Sequence, residues 1–117
     1  MHILVIGGSG TISTAVVAEL RHQGHRVTLC NRGNRPPPPG CDHLRCDRAD
    51  PEAFAAAVDG HRFDAAIDFV CFDPADAAGA HRALAGRCDQ YVFISSATVY
   101  RKPHRLPVHE DDPRGNP

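Results

Sequence analysis

A doubly wound α/β fold around a five-stranded parallel sheet is what this sequence predicts, and three observations carry the prediction. Short apolar runs alternate with stretches of helical spacing, two helix starts carry an Asp-Pro signal, and the first apolar run stops in a glycine-rich turn. Short continuous apolar strands are those covered on both faces, which is the situation of a parallel sheet between two layers of helices.

The elements follow in order. Ile3-Leu4-Val5-Ile6 is a buried strand, β1 (3–6), ending in Gly7-Gly8-Ser9-Gly10. Over 11–23, Ile12, Ala15, Val16 and Leu20 recur at helical spacing and Gly24 stands where a helix ends, which makes α1 (11–23). Arg26-Val27-Thr28-Leu29-Cys30 reads as β2 (26–30), and the four prolines Pro36 to Pro39 forbid a helix behind it. His43-Leu44-Arg45-Cys46 is a weaker strand, β3 (43–46). Asp50-Pro51-Glu52 caps α2 (53–58), Asp64 to Phe69 form β4 (64–69), and Asp73-Pro74 opens an alanine-rich α3 (74–85) closed by Gly86. Tyr91-Val92-Phe93-Ile94 is β5 (91–94). Right-handed crossovers then impose strand order 3-2-1-4-5, and the ligand crevice belongs at the switch point between β1 and β4.

Composition narrows the function. A chain of 117 residues is one domain's worth, and 42% hydrophobic residues suffice for its core. Residues 1–100 are expected to form that domain and 101–117 a proline- and charge-rich tail. Thirteen basic against fourteen acidic residues, net −1, do not make the footprint of a nucleic-acid binder or of a protein held on an anionic membrane. Without a basic leader or a long apolar run the expected location is the cytoplasm. Cys30, Cys41, Cys46, Cys71 and Cys88 are odd in number and irregular in spacing, so reduced thiols are expected and no metal site. The eight histidines form no zinc-type spacing.

The chemistry starts at the glycine turn. In a strand–turn–helix context, Gly7 permits a tight bend, and Gly10 lets the main chain approach a pyrophosphate that free N–H groups and the positive end of α1 would meet. The third motif position, commonly glycine or alanine, is Ser13, which fits if its hydroxyl bonds back to a carbonyl. Where an NAD-preferring protein places an acid after β2, this chain has Asn31 and Arg32, with Arg35 beyond. A guanidinium suits a 2′-phosphate, so NADP(H) is favoured over NAD(H).

The segments Val5-Ile6-Gly7-Gly8-Ser9-Gly10-Thr11-Ile12-Ser13, Cys46-Asp47-Arg48 and Phe93-Ile94-Ser95-Ser96-Ala97-Thr98-Val99-Tyr100 resemble the extended and atypical short-chain dehydrogenase/reductases, the NAD-dependent epimerase/dehydratase group. Leu106-Pro107-Val108-His109-Glu110 also fits that group's loop after the fifth strand. The resemblance implies a Rossmann-like fold and a nicotinamide dinucleotide cofactor. It places Gly7, Gly10 and Ile12 at the pyrophosphate, Arg32 at the 2′-phosphate and Asp47 at the adenine, with Thr11, Asn31 and Arg35 as further cofactor-binding candidates. It also places Val70 and Cys71 by the nicotinamide ribose, and gives Ser96 the catalytic role of a hydroxyl bonding a substrate oxygen.

The group's chemistry rests on a Tyr-x-x-x-Lys pair, which this chain lacks. Ser95 follows Tyr91 by four residues, His104 follows Tyr100 by four, and Lys102 is the only lysine. The resemblance puts the pair a few residues past Pro117, so the chain alone is expected to be inactive. Part of Val92/Ile94 or Tyr91/Phe93 should then be exposed. Two functions remain open: the cofactor-binding portion of a reductase or epimerase acting on a carbonyl or sugar-nucleotide-type substrate, or a non-catalytic NADP(H)-binding sensor or subunit. Either accommodates a homo-oligomer or a complementary chain. RNA binding, known among atypical relatives, is disfavoured by the balanced charge. Asp68 is readable as a ligand-side group or as a cap on the turn after β4, and Cys71 as a reactive thiol or an apolar filler.

Overall fold

Five parallel strands form one sheet in the order β3-β2-β1-β4-β5 in the computed structural model, which describes residues 1–102 and 106–115. The strands are β1 His2–Ile6, β2 Arg26–Asn31, β3 Asp42–Arg45, β4 Phe63–Asp68 and β5 Cys88–Phe93. Helix α1 (Thr11–His22) lies on one face, and α2 (Pro51–Val58) and α3 (Pro74–Leu84) lie on the other. The fold class and strand order are those the sequence predicts.

The pleat divides the apolar runs between two cores, because successive side chains leave a strand on opposite faces. Ile3, Val5, Val27 and Leu29 pack against Val17 of α1. Leu4, Ile6, Cys30 and Ala66 pack against Phe54 and Val58 of α2 and Ala83 and Leu84 of α3. Each large apolar side chain removed from water contributes about 1.5–3 kcal/mol, so the two cores together hold the sheet between its helices.

Local chemistry sets the ends of the helices. The Asp50 carboxylate accepts from the N–H groups of Glu52 and Ala53, and Asp73 accepts from Asp76 N–H, each with proline at the next position. Such caps contribute about 1 kcal/mol apiece. At the end of α1, Gly24 takes φ +79° and donates its N–H to the Arg21 carbonyl, a conformation that favours glycine.

Each strand differs by a residue or more from the bounds the apolar pattern gives, and two of the differences carry a lesson. Strand β5 starts three residues earlier, since Cys88 and Gln90 pair with Phe63 and Ala65 although Asp89 and Gln90 are polar. A ladder is made by the backbone, and an edge strand tolerates polar side chains. Strand β3 is shifted one residue toward the N-terminus, which leaves Cys46 just beyond it, its N–H bonded to the Asn31 carbonyl.

Tyr91 and Phe93 are 39% and 51% exposed, so the uncovered ridge expected on β5 is present. The segment after residue 100 forms no helix or named strand among its described residues, yet it folds back. Tyr100 bridges Arg114 in antiparallel fashion, Arg101 N–H donates to the Pro113 carbonyl, and Gly115 N–H donates to the Val99 carbonyl. His104 and Pro117 lie outside the described residues.

Candidate functional site

The carboxyl ends of β1, β2 and β4 open into a crevice at the predicted switch point. It has two lobes, cavities of about 310 and 1080 Å³, which share Gly7, Ser9, Asn34, Val70 and Phe72. The smaller lobe is lined by Asn31, Arg32 and Asp47; the larger by Gly10, Thr11, Ile12, Arg35, Cys71 and Ser96. Every candidate cofactor-binding or catalytic residue named above thus borders one crevice, while Asp68 lies beneath it.

The glycine turn owes its shape to two positions. Gly7 has φ +102°, and Gly8 has φ +80° with so little room that a Cβ there would lie 2.5 Å from Leu29 Cδ2. Gly10 differs, with an extended backbone and only the Ser13 hydroxyl, at 3.4 Å, near the position of a Cβ. Its α-carbon therefore leaves space on the crevice side. Ser13 is buried, and its Oγ accepts from Gly10 N–H (2.9 Å) while donating to the Gly10 carbonyl (3.2 Å). The hydroxyl is satisfied as the sequence required, at the expense of one expected anion donor, because Gly10 N–H is now engaged. The remaining first-turn N–H groups of α1 have no intrahelical acceptor.

Asn31 ties the two walls together. Its Nδ2 donates to the Gly7 carbonyl (2.9 Å), and its Oδ1 accepts from Gly33 N–H (2.9 Å) and pairs with His43 Nε2 (2.9 Å). Arg32 is exposed, and its carbonyl accepts from Arg45 Nε (3.1 Å). Arg35 reaches back toward the Ser9 carbonyl with a long 3.5 Å contact. Asp47 turns one oxygen to Ala49 N–H (2.9 Å).

Beneath the crevice lies a buried polar cluster that sequence reasoning saw only in part. Asp68 is fully buried; its Oδ1 accepts from Val70 N–H (3.0 Å), which settles the turn-capping reading. Its Oδ2 accepts from Arg48 Nη2 (2.9 Å) and from the Tyr91 hydroxyl (2.7 Å). Arg48 also donates to the Asp76 carbonyl and lies over the Phe54 ring, while its buried Nε has no partner. Burial opposes the Arg48 charge, and the Asp68 carboxylate outweighs that, leaving its pKa above the ordinary value. Burial, then the bond to Asp68, pushes the Tyr91 phenol up. The partners stand 20 and 23 residues from Asp68, a separation no local pattern marks.

Ser96 caps the turn Ala97–Val99, its Oγ accepting from Thr98 N–H (3.2 Å) and from the Thr98 hydroxyl (3.0 Å). Both bonds use its lone pairs, so its own proton stays available to an acceptor in the crevice. Burial pushes the Cys71 thiol up, which favours the filler reading over the reactive one. A thiol pair carries no mark in the sequence: Cys30 and Cys46 stand with their sulfurs 2.8 Å apart at the smaller lobe. Among the described residues no three His, Cys, Asp or Glu side chains gather as a metal site, and no helix is long and apolar enough to cross a membrane.

Comparison with known proteins agrees with this architecture. Residues 3–117 match the model of the NAD dependent epimerase/dehydratase family. The chain belongs to that family. It is 38% identical over 112 residues to 2′-dehydrokanamycin reductase of Streptomyces kanamyceticus, covering 94% of this chain and 32% of the reductase. It is 30% identical over 125 residues to the chloroplast stem-loop binding protein of 41 kDa b of Arabidopsis thaliana, covering 94% of this chain and 33% of that one. Among solved structures, a short-chain dehydrogenase/reductase superfamily protein of Agrobacterium tumefaciens with bound NAD superposes with TM-score 0.72 at 32% identity, over 98% of this chain and 39% of that one. The chain thus spans about a third of the length of the curated family members it matches.

Proposed function

We propose that this chain binds a nicotinamide dinucleotide, NADP(H) in preference to NAD(H), as the cofactor-binding portion of a reductase or epimerase acting on a carbonyl or sugar-nucleotide-type substrate. The observation that carries the reading is the Asn31 side chain, which joins the Gly7 carbonyl of the phosphate-type turn to the Gly33 N–H of the Arg32 loop. One side chain thus holds the two walls that a pyrophosphate and an adenosine ribose would touch.

The residues present fit such a group. The open side of Gly10 gives a phosphate room at the main chain, and the N-terminus of α1 supplies a positive dipole end. Arg32 and Arg35, with no acidic residue at the end of β2, suit a 2′-phosphate. Asp47 would face the adenine, and Val70 and Cys71 the nicotinamide ribose. When bound, the dinucleotide supplies or accepts a hydride. Ser96 would orient a substrate oxygen through its uncommitted proton. The Tyr-x-x-x-Lys spacing is absent from these 117 residues, so in this reading the proton-transfer pair is supplied from outside them.

Support for a reductase role comes from the 38% identity to 2′-dehydrokanamycin reductase. Calorimetric titration with NADPH and NADH in parallel tests the reading. We expect NADPH to bind at least tenfold more tightly, Arg32→Ala to erase that preference, and Gly10→Val to abolish binding while the thermal unfolding transition is retained. Failure of wild type to bind either dinucleotide overturns the reading.

A further inference from the structure

We propose that Cys30 and Cys46 are a reversible oxidative modification site, a dithiol that a peroxide closes to a disulfide in the wall of the crevice, weakening dinucleotide binding when it closes. The coupling to binding rests on the cofactor reading above; the disulfide itself does not.

The argument begins with position. Cys30 is the next-to-last residue of β2 and Cys46 the first residue beyond β3, on neighbouring parallel strands. Cys30 is paired with Leu44, so Cys46 lies two residues along the neighbouring strand on the same face. The sulfurs meet at 2.8 Å, and both residues are free thiols. A disulfide bond is about 2.05 Å long, so the pair must close by roughly 0.8 Å. Cys46 can give that distance because it stands at the very end of the ladder, past the last paired residue Arg45, and begins the loop to Asp47.

Access is the second observation. Both side chains are nearly or wholly buried from bulk solvent, yet both line the 310 Å³ lobe. A molecule the size of hydrogen peroxide reaches them from there. Elsewhere the thiols lack this arrangement: Cys88, for example, donates to the Gln90 carbonyl.

The third observation divides the roles. The two thiols share one hydrogen bond in which either sulfur can donate; with Cys30 as the donor, the Cys46 thiol is held below its usual value and Cys30 is pushed up. Cys46, the less buried of the two and at the head of the loop after β3, is the attacking sulfur. Its thiolate attacks one oxygen of hydrogen peroxide; an S–O bond forms, the O–O bond breaks, and hydroxide leaves. The Cys30 sulfur then attacks the resulting sulfenic acid; the S–S bond forms, the S–O bond breaks, and the departing hydroxyl leaves as water. The proton that Cys46 gave up on becoming a thiolate neutralises the first hydroxide, and the Cys30 proton goes to the departing hydroxyl, so two thiols and one peroxide give one disulfide and two waters.

Closure acts on the crevice because of what adjoins each sulfur. Asn31, the brace between its walls, follows Cys30 directly, and Asp47 and Arg48 follow Cys46. Drawing the two together moves both walls of the smaller lobe.

The test treats the full chain with hydrogen peroxide and maps its peptides by mass spectrometry, with and without NADPH. We expect a Cys30–Cys46 linked peptide lacking two hydrogens, lost on dithiothreitol treatment, retained in Cys88→Ser and absent in Cys46→Ser. NADPH should slow its formation at least fivefold, and the oxidised chain should bind NADPH at least tenfold more weakly. Oxidation that stops at sulfinic acid, links other cysteines, or leaves NADPH affinity unchanged overturns the proposal. Mapping on the wild-type chain decides the disulfide whether or not a variant folds. A disulfide that forms in a chain with no affinity for either dinucleotide defeats the cofactor reading and the coupling, while the dithiol chemistry stands.

Discussion

Strands β1 and β5 carry the same kind of apolar run and meet opposite fates. Ile3, Leu4, Val5 and Ile6 are at most 2% exposed, whereas Tyr91, Phe93 and Ile94 show a third to a half of their surface. Strand β1 has a partner strand on each side and helices on both faces; β5 has one partner, β4, among the described residues. An apolar run therefore specifies a strand, and its neighbours decide how much that strand buries. Besides its backbone ladder to β4, the exposed ridge is fastened to the interior by a side chain where the Tyr91 hydroxyl bonds to Asp68.

The largest expected effect comes from cutting that fastening at its buried end. Asp68→Ala leaves the Arg48 guanidinium buried without its carboxylate and strips the Tyr91 hydroxyl of its acceptor. Breaking a buried pair from one side costs about 3–5 kcal/mol. Urea unfolding should show that loss, a large fraction of the stability of a domain this size. A loss below about 1 kcal/mol would mean that the cluster does not hold β4 and β5 together.

Next, Leu4→Ala and Phe93→Ala test the comparison directly. Leu4 is fully buried, so truncation should cost about 3 kcal/mol, while Phe93, half exposed, should cost less than about 1 kcal/mol. Equal losses in chemical unfolding would show that β5 is covered in solution.

Most of this architecture was legible in the sequence because its signals are local. Apolar runs marked the strands, Asp50-Pro51 and Asp73-Pro74 marked helix starts, and Gly7 to Ser13 marked the strand–turn–helix unit, from which strand order follows by handedness. The candidate residues lining the crevice were legible for the same reason, since they stand at the end of β2, in the loops that follow the strands or in the first turn of α1. What stayed hidden is what folding assembles from afar. Nothing local marks the role of Arg48 until the tertiary structure buries it against Asp68, or that of Cys30 and Cys46 until β2 and β3 pair. Asn31 was read for its place beside a phosphate, but its role as brace depends on Gly7, 24 residues away.

Within the glycine turn the same contrast recurs on a smaller scale. Gly8→Ala must adopt φ near +80° with its Cβ against Leu29, and should cost about 2 kcal/mol in thermal unfolding. Gly10→Ala needs no such conformation and should leave stability within about 0.5 kcal/mol. Equal effects would show that the tightness of the turn does not reside at Gly8.

The smallest effect concerns the fastening seen from its exposed end. Tyr91 is partly exposed, so Tyr91→Phe, which removes one hydrogen bond and keeps the ring, should cost about 1 kcal/mol near neutral pH. Its pH dependence carries more information than its size. Burial first, and the bond to Asp68 second, raise the phenol above its ordinary value in the folded chain. The folded state therefore keeps this proton after the unfolded state has begun to lose it, and the bond's contribution is fully present below about pH 10. Above that pH, as the unfolded phenol ionises, stability should fall in wild type, and Tyr91→Phe should remove this component of the fall. The chain has two tyrosines, so absorbance titration of wild type against the variant resolves Tyr91 on its own. A Tyr91 phenolate appearing at the ordinary pH would mean that the hydroxyl is free in solution, and that Arg48 alone holds the Asp68 carboxylate at the root of β5.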